Sequence, residues 1–228
     1  MARPAATPSR TALVAGATGL VGQALLAQLL ADDRYGRVEV VARRPLTSAL
    51  ARHPRLAVRI GDAAALAGDE PRADDVYIAL GTTIKVAGSE AAFRAIDFDL
   101  VVAIARAARR AGANRLGVVS ALGADATSLV FYNRVKGEME AAVRSLGYSS
   151  VVIARPSLLL GDRAALGQPT RRGEVWAARL LGPMLPLVPA GVRPIDAAAV
   201  AASLIAALAD APALRMLSSA EMQRFARR

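Results

Sequence analysis

The sequence predicts an α/β fold built on a doubly wound parallel sheet, with a small C-terminal substrate or lid segment added to it. Two observations predict this fold class. Short apolar runs typical of buried strands alternate with amphipathic helical stretches along most of the 228 residues. The first apolar run ends in a glycine-rich turn where the first helical stretch begins. Such alternation implies parallel strands joined by right-handed crossovers, with helices on both faces of one sheet.

The strands are predicted where apolar runs are bounded by polar or turn-forming residues. These runs are residues 11–16, 37–42, 56–60, 74–80, 114–120 and 149–154. The first helix begins near Leu20, carries apolar residues at helical spacing and stops at Asp32.

Two longer helices are predicted from their apolar spacing and their ends. One spans residues 90–112 and ends in basic residues followed by a glycine, which is a common helix stop. The other spans residues 128–147, and Thr127 or Ser128 is its expected N-cap. Each helix follows one predicted strand and precedes the next, as parallel pairing requires.

The predicted domain organisation is simple. Residues 1–10 are polar and proline-rich without an apolar core, which indicates a flexible tail rather than a secretory signal. Residues 11–228 are long enough for one well-buried domain. Within it, glycines and prolines break the alternation over about residues 161–195, the predicted substrate or lid segment, before a closing helix at about residues 196–208.

Composition excludes several classes of site and partner. The chain has no cysteine and a single histidine, so we expect no metal site built from thiolates or clustered histidines. The net charge of +10 comes from scattered arginines with few aromatic residues between them, so no nucleic-acid partner is expected. The most apolar run, Val175 to Val192, contains Arg179 and three prolines, so no integral membrane segment is expected. We therefore expect a cytoplasmic protein.

The glycine turn, "LVAGATGLVG", indicates a dinucleotide site. Gly16, Gly19 and Gly22 stand where the first strand passes into the first helix. Glycines there allow a tight turn and close approach of the backbone to a pyrophosphate, while the helix N-terminus presents unpaired N–H groups to the phosphates. The alternative is a tight turn that binds nothing.

The end of the second strand favours NADP(H) over NAD(H). Folds that bind NAD often place a carboxylate there, against the adenine ribose hydroxyls. This chain has Arg43 and Arg44 instead, two guanidiniums that suit a 2′-phosphate. The alternative is a pair of solvated surface arginines.

Two further strand ends are candidate cofactor contacts, since such sheets bind ligands at the carboxyl ends of their strands. Asp62 follows the third strand and could accept a hydrogen bond from an adenine amino group. The segment with Leu80, Gly81 and Thr82 follows the fourth strand and would run under the adenosine. Both could equally be plain turns.

Tyr132 and Lys136 form the candidate catalytic pair. They are one helical turn apart and share a face of the predicted helix, in a chain with only two lysines. A nearby ammonium favours the phenolate form of a tyrosine and lowers its pKa, which suits acid–base catalysis at neutral pH. Gly137 is unfavourable in a helix interior by about 1 kcal/mol, which indicates close packing or function. The alternative is a surface Tyr-Lys pair that supports the helix.

These motifs resemble those of atypical short-chain dehydrogenases/reductases. The chain is most similar to the Tat-interacting-protein-like NAD(P)-binding oxidoreductases, in the segments "GATGLVG", "ALGTTIKVAGSEAAFRAIDFD", "VVSALGAD", "YNRVKGEME", "ARPSLLLGDR" and "LSSAEMQRFARR". The resemblance implies a Rossmann fold. It also implies an NADP(H) site formed by Gly16, Thr18, Gly19, Leu20, Val21 and Gly22, with Arg43 and Arg44 on the 2′-phosphate.

The resemblance also implies roles near the nicotinamide. Tyr132 would donate or accept the proton, Lys136 would bind the nicotinamide ribose, and Pro156 would lie against the nicotinamide end. Such enzymes usually carry a serine for the substrate oxygen, often in a Ser-Ser pair, and Ser120 is the candidate. Residues 121 and 122 are Ala121 and Leu122. If the serine that binds the substrate oxygen belongs at one of these two positions, the site lacks this hydrogen-bond donor.

The leading hypothesis is an NADP(H)-dependent oxidoreductase with a hydrophobic carbonyl or quinone-like small-molecule substrate. The alternative is a non-catalytic NADP(H)-binding sensor or regulatory partner protein, since fold does not determine function. A sugar-nucleotide epimerase is less favoured, because 228 residues leave little room for a nucleotide-sugar domain. A homodimer remains open, as proteins of this class often pair through helices.

Overall fold

The central element of the fold is a seven-stranded sheet whose neighbouring strands all run parallel. The structure is a computed structural model that describes residues 9–61, 72–160, 189–210 and 212–225. The strands are β1 Arg10–Ala15, β2 Tyr35–Ala42, β3 Leu56–Ile60, β4 Asp75–Ile78, β5 Arg115–Val119, β6 Ser150–Arg155, β7 Leu159–Leu160, β8 Ile195–Asp196 and β9 Leu214–Ser218. The strand order in the sheet is β3-β2-β1-β4-β5-β6-β9, and β7 pairs with β8 separately. The order reverses between β1 and β4, which creates a crevice beyond their carboxyl ends where ligands bind in such sheets.

Helices cover both faces of this sheet. They are α1 Leu20–Ala31, α2 Ile84–Ala87, α3 Glu90–Arg94, α4 Val101–Arg110, α5 Phe131–Arg144, α6 Ala197–Ala209 and α7 Ser219–Phe225, with a 3₁₀ helix at Ala49–Arg52 and a π-helical segment at Ala95–Leu100. Leu25 of α1 and Leu204 of α6 are buried on one face, and Ile104 of α4 and Met139 of α5 on the other. The predicted doubly wound parallel sheet is confirmed. Within the described ranges, every helix is too short or too polar to span a bilayer.

Several local predictions need correction. The predicted helix over residues 90–112 is interrupted by the π-helical segment between α3 and α4. Thr127 and Ser128 are not the N-cap of α5, which begins at Phe131 without a side-chain cap. The Thr127 N–H and hydroxyl instead donate to Asp125, and the Ser128 hydroxyl accepts from the Val130 N–H. These short-range bonds compete with the helix and delay its start.

Strand boundaries at the two ends of the chain also differ from the prediction. β1 begins at Arg10, one residue before the expected start of the domain, and β9 was not predicted. Residues 1–8 of the predicted tail and 161–188 of the predicted lid segment lie outside the described residues. The division into a tail and one domain with a lid segment stays a prediction.

A buried polar network joins the starts of four strands, at the sheet edge opposite the crevice. The Asp75 carboxylate, which is fully buried, accepts from Arg115 Nε and Nη2 at 2.6 and 2.7 Å and from Arg10 Nη2 at 2.8 Å. The Tyr35 hydroxyl donates to Asp75 at 2.6 Å and lies 2.9 Å from the hydroxyl of Tyr77. The network therefore ties β1, β2, β4 and β5 into one register.

We expect Asp75→Ala to lower the free energy of unfolding by about 3–5 kcal/mol, because it leaves the buried Tyr35 hydroxyl and the half-buried Arg10 and Arg115 guanidiniums without their acceptor. Denaturant unfolding measures this change. Asp33→Ala, which removes an exposed carboxylate, is the control and should change stability by less than about 0.5 kcal/mol. Equal effects of the two substitutions would contradict the network's structural role.

Gly137 lets α5 pack closely against the loop that precedes it. A Cβ built on Gly137 would lie 2.1 Å from the Ala126 nitrogen and 2.2 Å from the Asp125 carbonyl carbon. No rotamer relieves such a contact, since both neighbours are backbone. The unfavourable glycine inside α5 is thus explained by close packing.

Gly137→Ala should destabilise the protein by about 1–3 kcal/mol through overpacking. Helix propensity alone predicts the opposite, a gain of about 1 kcal/mol. Chemical denaturation distinguishes the two signs. The reverse change at an exposed position of the same helix, Ala141→Gly, measures the effect of helix propensity alone. It should lower the free energy of unfolding by about 1 kcal/mol. A more stable Gly137→Ala protein would show that the loop at Asp125 and Ala126 moves aside for the methyl group at little cost in free energy.

Candidate cofactor and catalytic site

The glycine turn brings β1, α1 and the loop after β4 into contact. Gly16 has a φ of +89°, and a Cβ on it would lie 2.6 Å from the Ala79 carbonyl group. A Cβ on Gly22 would lie 2.0 Å from the Gly16 oxygen. Both positions therefore require glycine, one for its backbone conformation and both for the space.

The start of α1 lies close to the carboxyl end of β1. Gly19 is the N-cap, and no side chain caps the helix. A Cβ on Gly19 would have its nearest neighbour at 3.4 Å, so this glycine is less crowded than the other two. The N–H groups of Leu20 and Val21, in the first turn, have no partner within the helix. Together with the exposed Thr18, this turn presents the donors that a pyrophosphate needs.

Arg43 and Arg44 lie at the end of β2, next to β1 in the sheet. Both are exposed, and within the described residues neither has an ion-pair partner. They flank the glycine turn at the same sheet edge. Asp62, the other residue predicted at the adenosine end, lies outside the described residues.

A buried ion pair lies under the loop after β4. The Lys136 ammonium is 2.7 Å from Asp97 Oδ1, and both side chains are at most 4 % exposed. Asp97 Oδ2 accepts a hydrogen bond of 2.9 Å from the Thr82 N–H. A Cβ on Gly81 would lie 3.4 Å from Asp97 Oδ1 and 3.7 Å from Lys136 Nζ. The loop with Leu80, the π-helical segment and α5 therefore meet at this pair.

Ser120 lies at the ends of β5 and β6. Its N–H donates to the Ala154 oxygen at 2.8 Å, and its hydroxyl is buried without a hydrogen-bond partner in the part of the chain that the structure describes. Pro156, just after β6, accepts from the Leu122 N–H at 2.9 Å. A buried hydroxyl without a partner is unfavourable, so it is expected to bind a water molecule or a ligand.

Tyr132 is half-buried in the first turn of α5. Its ring lies 5.2 Å from that of Phe93, which is fully buried. Stacking of this kind restricts the direction of the phenol. Tyr132 precedes Lys136 by one helical turn, so the phenol and the ammonium are on the same side of the helix.

Further interactions anchor α5 and the loop before it. Arg155, directly before Pro156, binds the buried carboxylate of Glu140, and this hydrogen bond raises the pKa of the Arg155 guanidinium above its usual value. Hydrogen bonds from the Thr127 N–H and hydroxyl lower the pKa of the Asp125 carboxyl. The helix that carries the candidate catalytic pair is therefore held at several points along its length.

The structure thus brings most predicted site residues to one edge of the sheet. The glycine turn touches the loop after β4, that loop adjoins Lys136, and Ser120 and Pro156 lie at the neighbouring strand ends. The prediction missed Asp97. A signal existed, because Asp97 interrupts the apolar positions Phe93, Leu100 and Ile104 at helical spacing, where a charge needs a partner.

The arrangement fits a dinucleotide better than a metal ion. Within the described ranges, no group of three or more acidic, cysteine or histidine side chains could hold a metal. The uncapped helix N-terminus, the close-packed glycines and the Ser120 hydroxyl, which has no hydrogen-bond partner among the described residues, lie at the carboxyl ends of β1 and β5, on either side of β4. Sheets of this kind bind phosphate-bearing cofactors there.

Comparison with known sequences agrees with this geometry. Residues 16–177 match the model of a family described as NAD(P)H-binding. The chain is 36 % identical over 154 residues to the protein fmp52, mitochondrial, of Emericella nidulans, an alignment that covers 65 % of this chain and 66 % of that protein, just under two thirds. It is 35 % identical over 153 residues to the protein FMP52, mitochondrial, of Eremothecium gossypii, covering 67 % of each. Both relatives are named mitochondrial, which contradicts the predicted cytoplasmic location.

Solved structures with the same fold contain bound nucleotides. The structure of MoeE5 in complex with UDP-glucose and NAD has a TM-score of 0.68 at 18 % identity and covers 91 % of this chain and 76 % of that chain. The Bordetella bronchiseptica enzyme WbmF in complex with NAD⁺ has a TM-score of 0.65 at 18 % identity, covering 95 % and 77 %. At such identity the likeness shows the fold alone. Because the family match spans most of the chain and includes the glycine turn, the loop after β4 and α5, the protein belongs to the NAD(P)H-binding family and has its Rossmann-type fold.

Proposed function

We propose that the protein is an NADP(H)-dependent oxidoreductase of the atypical short-chain dehydrogenase/reductase type. The observation that carries this proposal is the placement of Tyr132 one turn before the buried Lys136, which lies beside the loop after β4. A tyrosine, an ammonium and a serine hydroxyl at the edge of a dinucleotide crevice are the groups that carbonyl reduction needs. Within this type, the segments around the glycine turn and α5 support a place near the Tat-interacting-protein-like oxidoreductases.

Each residue has a defined role in this proposal. Bound NADPH supplies the hydride. The Ser120 hydroxyl donates a hydrogen bond to the substrate oxygen, Tyr132 transfers the proton to it, and Lys136 binds the ribose next to the nicotinamide. Pro156, rigid and buried after β6, excludes water from the nicotinamide end. The apolar residues of the predicted lid segment favour a hydrophobic carbonyl or quinone-like substrate.

The preference for NADP(H) rests on Arg43 and Arg44. The two named structures contain NAD, and the family description covers both cofactors. In this chain, two exposed guanidiniums without ion-pair partners among the described residues adjoin the glycine turn. A 2′-phosphate would receive charge-assisted, bidentate hydrogen bonds from them.

A second candidate, a non-catalytic NADP(H) sensor, is favoured by one observation. Ala121 follows Ser120 where the resembling enzymes often carry a second serine. If the substrate oxygen must be bound by a serine at residue 121, this protein binds the cofactor but does not turn over substrate. Consumption of NADPH in the presence of hydrophobic aldehydes, ketones and quinones separates the two candidates.

The double variant Arg43→Asp/Arg44→Asp should raise the NADPH dissociation constant about 10- to 100-fold, because it removes charge-assisted hydrogen bonds to the 2′-phosphate. NADH binding should change little. Fluorescence titration with both cofactors measures the two constants. The double variant Arg52→Asp/Arg106→Asp, at exposed positions of the 3₁₀ helix and of α4, makes the same change in net charge and is the control. A parallel loss of NADPH and NADH affinity would exclude a role in cofactor selection.

Tyr132→Phe should lower turnover of a reducible substrate about 10²- to 10⁴-fold, the usual effect of losing a general acid or base. NADPH affinity should stay within about threefold, because the ring and its contact with Phe93 are kept. NADPH oxidation and NADPH binding are measured on the same preparation. Retention of full turnover would rule out Tyr132 as the proton donor.

A further inference from the structure

The Asp97–Lys136 ion pair is almost completely buried, which makes it weak evidence for a role in fold stability. Both charges are almost completely removed from water. Such pairs are often no more stabilising than apolar side chains of similar volume, because the loss of hydration offsets the attraction. Asp97 also lies in a π-helical segment, a distortion found frequently at functional sites.

Asp97 is the acidic partner of Lys136 among the described residues. The two acidic side chains of α5 are engaged elsewhere, Glu138 with Arg94 and Glu140 with Arg155. The other acidic residue of the π-helical segment, Asp99, is exposed to solvent.

The titratable and charged groups around the ammonium are therefore few. The π-helical segment contributes Asp97, and α5 contributes Tyr132 one turn away. The loop after β4 contributes backbone only, with Gly81 close to the ammonium and the Thr82 N–H on the second carboxylate oxygen.

We propose that Asp97 is a positioning residue that holds the Lys136 ammonium beside the cofactor loop and compensates its charge, so that Tyr132 remains the proton donor of a reductase. The inference rests on the function proposed above. A lysine ammonium has three donors, so its ion pair with Asp97 still leaves donors for ribose hydroxyls. The paired ammonium favours the phenolate of Tyr132 less than an uncompensated one would.

The resulting step is a reduction. A hydride supplied by NADPH would add to the carbonyl carbon, and the carbonyl oxygen would take the proton of the Tyr132 hydroxyl. An alcohol and NADP⁺ result, and the tyrosinate is reprotonated from solvent. Because Asp97 compensates the positive charge of Lys136, Tyr132 is kept protonated more readily. This favours reduction, which begins with the protonated phenol.

Tyrosinate absorbance near 295 nm tests the proposal without a substrate. Burial raises the pKa of Tyr35, Tyr77 and Tyr148 well above the ordinary value for tyrosine. The chain has four tyrosines, so Tyr132 is the remaining residue whose ionisation this absorbance can follow. The Tyr132→Phe protein identifies this signal by its loss, and circular dichroism at each pH shows that the fold is intact.

In Asp97→Asn, which keeps the size of the side chain, the tyrosinate signal should move to lower pH by about one unit, a tenfold change in the ionisation constant. Asp99→Asn removes the same charge from the same π-helical segment and should leave the curve unchanged. In a Lys136→Met background, Asp97→Asn should have no further acidifying effect, because the ammonium through which it acts is gone.

The outcomes are separable. An unchanged curve in Asp97→Asn, or an equal shift with and without Lys136, would overturn the role of Asp97. If Asp97→Asn does not fold, Asp97→Glu keeps the charge, and a wild-type titration curve in that protein supports the proposal whereas an acid-shifted one opposes it. Failure of the wild-type protein to bind NADPH would refute the proposed function itself, and the tyrosinate titration does not depend on that binding.

Discussion

The contact between the glycine turn and the loop after β4 is the constraint on which the rest of the site depends. Gly16 must approach the Ala79 carbonyl closely for β1 and β4 to pair at the point where the strand order reverses. That reversal opens the crevice and directs the start of α1 into it. A side chain at Gly16 or Gly22 would separate the strand, the helix and the loop, so the glycines serve the fold and the cofactor site together.

The second face of the site is built by α5. Gly137 allows the helix to approach the Asp125–Ala126 backbone, Lys136 joins it to the π-helical segment, and Glu140 joins it to the end of β6. Such anchoring restrains Tyr132 relative to the sheet, which matters because proton transfer depends on short, well-directed contacts. The buried network around Asp75 has the corresponding role at the opposite edge, where nothing in the proposed chemistry takes place.

The family of this protein is established by its sequence match and its fold, whereas its chemistry is proposed from individual side chains. The family match and the parallel sheet establish an NAD(P)H-binding protein of the Rossmann type. The same fold carries out reductions, epimerisations and sensing, so the chemistry depends on individual side chains. The proposed chemistry of this protein rests on Tyr132, Lys136 and a buried serine hydroxyl that lacks a partner among the described residues.

The sequence by itself determined the strand and helix pattern, the glycine turn and the Tyr132–Lys136 spacing, because each depends on neighbours within a few residues. Apolar periodicity predicts buried strands and helix faces, and a helical turn brings residues four apart together. Only the tertiary structure decided the partner of Lys136, the reason for Gly137, the π-helical segment and the placement of β9 beside β6. Asp97 and Lys136 belong to different helices, and β9 pairs with a strand far from it in the chain. Such contacts form only when the sheet brings distant segments together, so no local pattern records them.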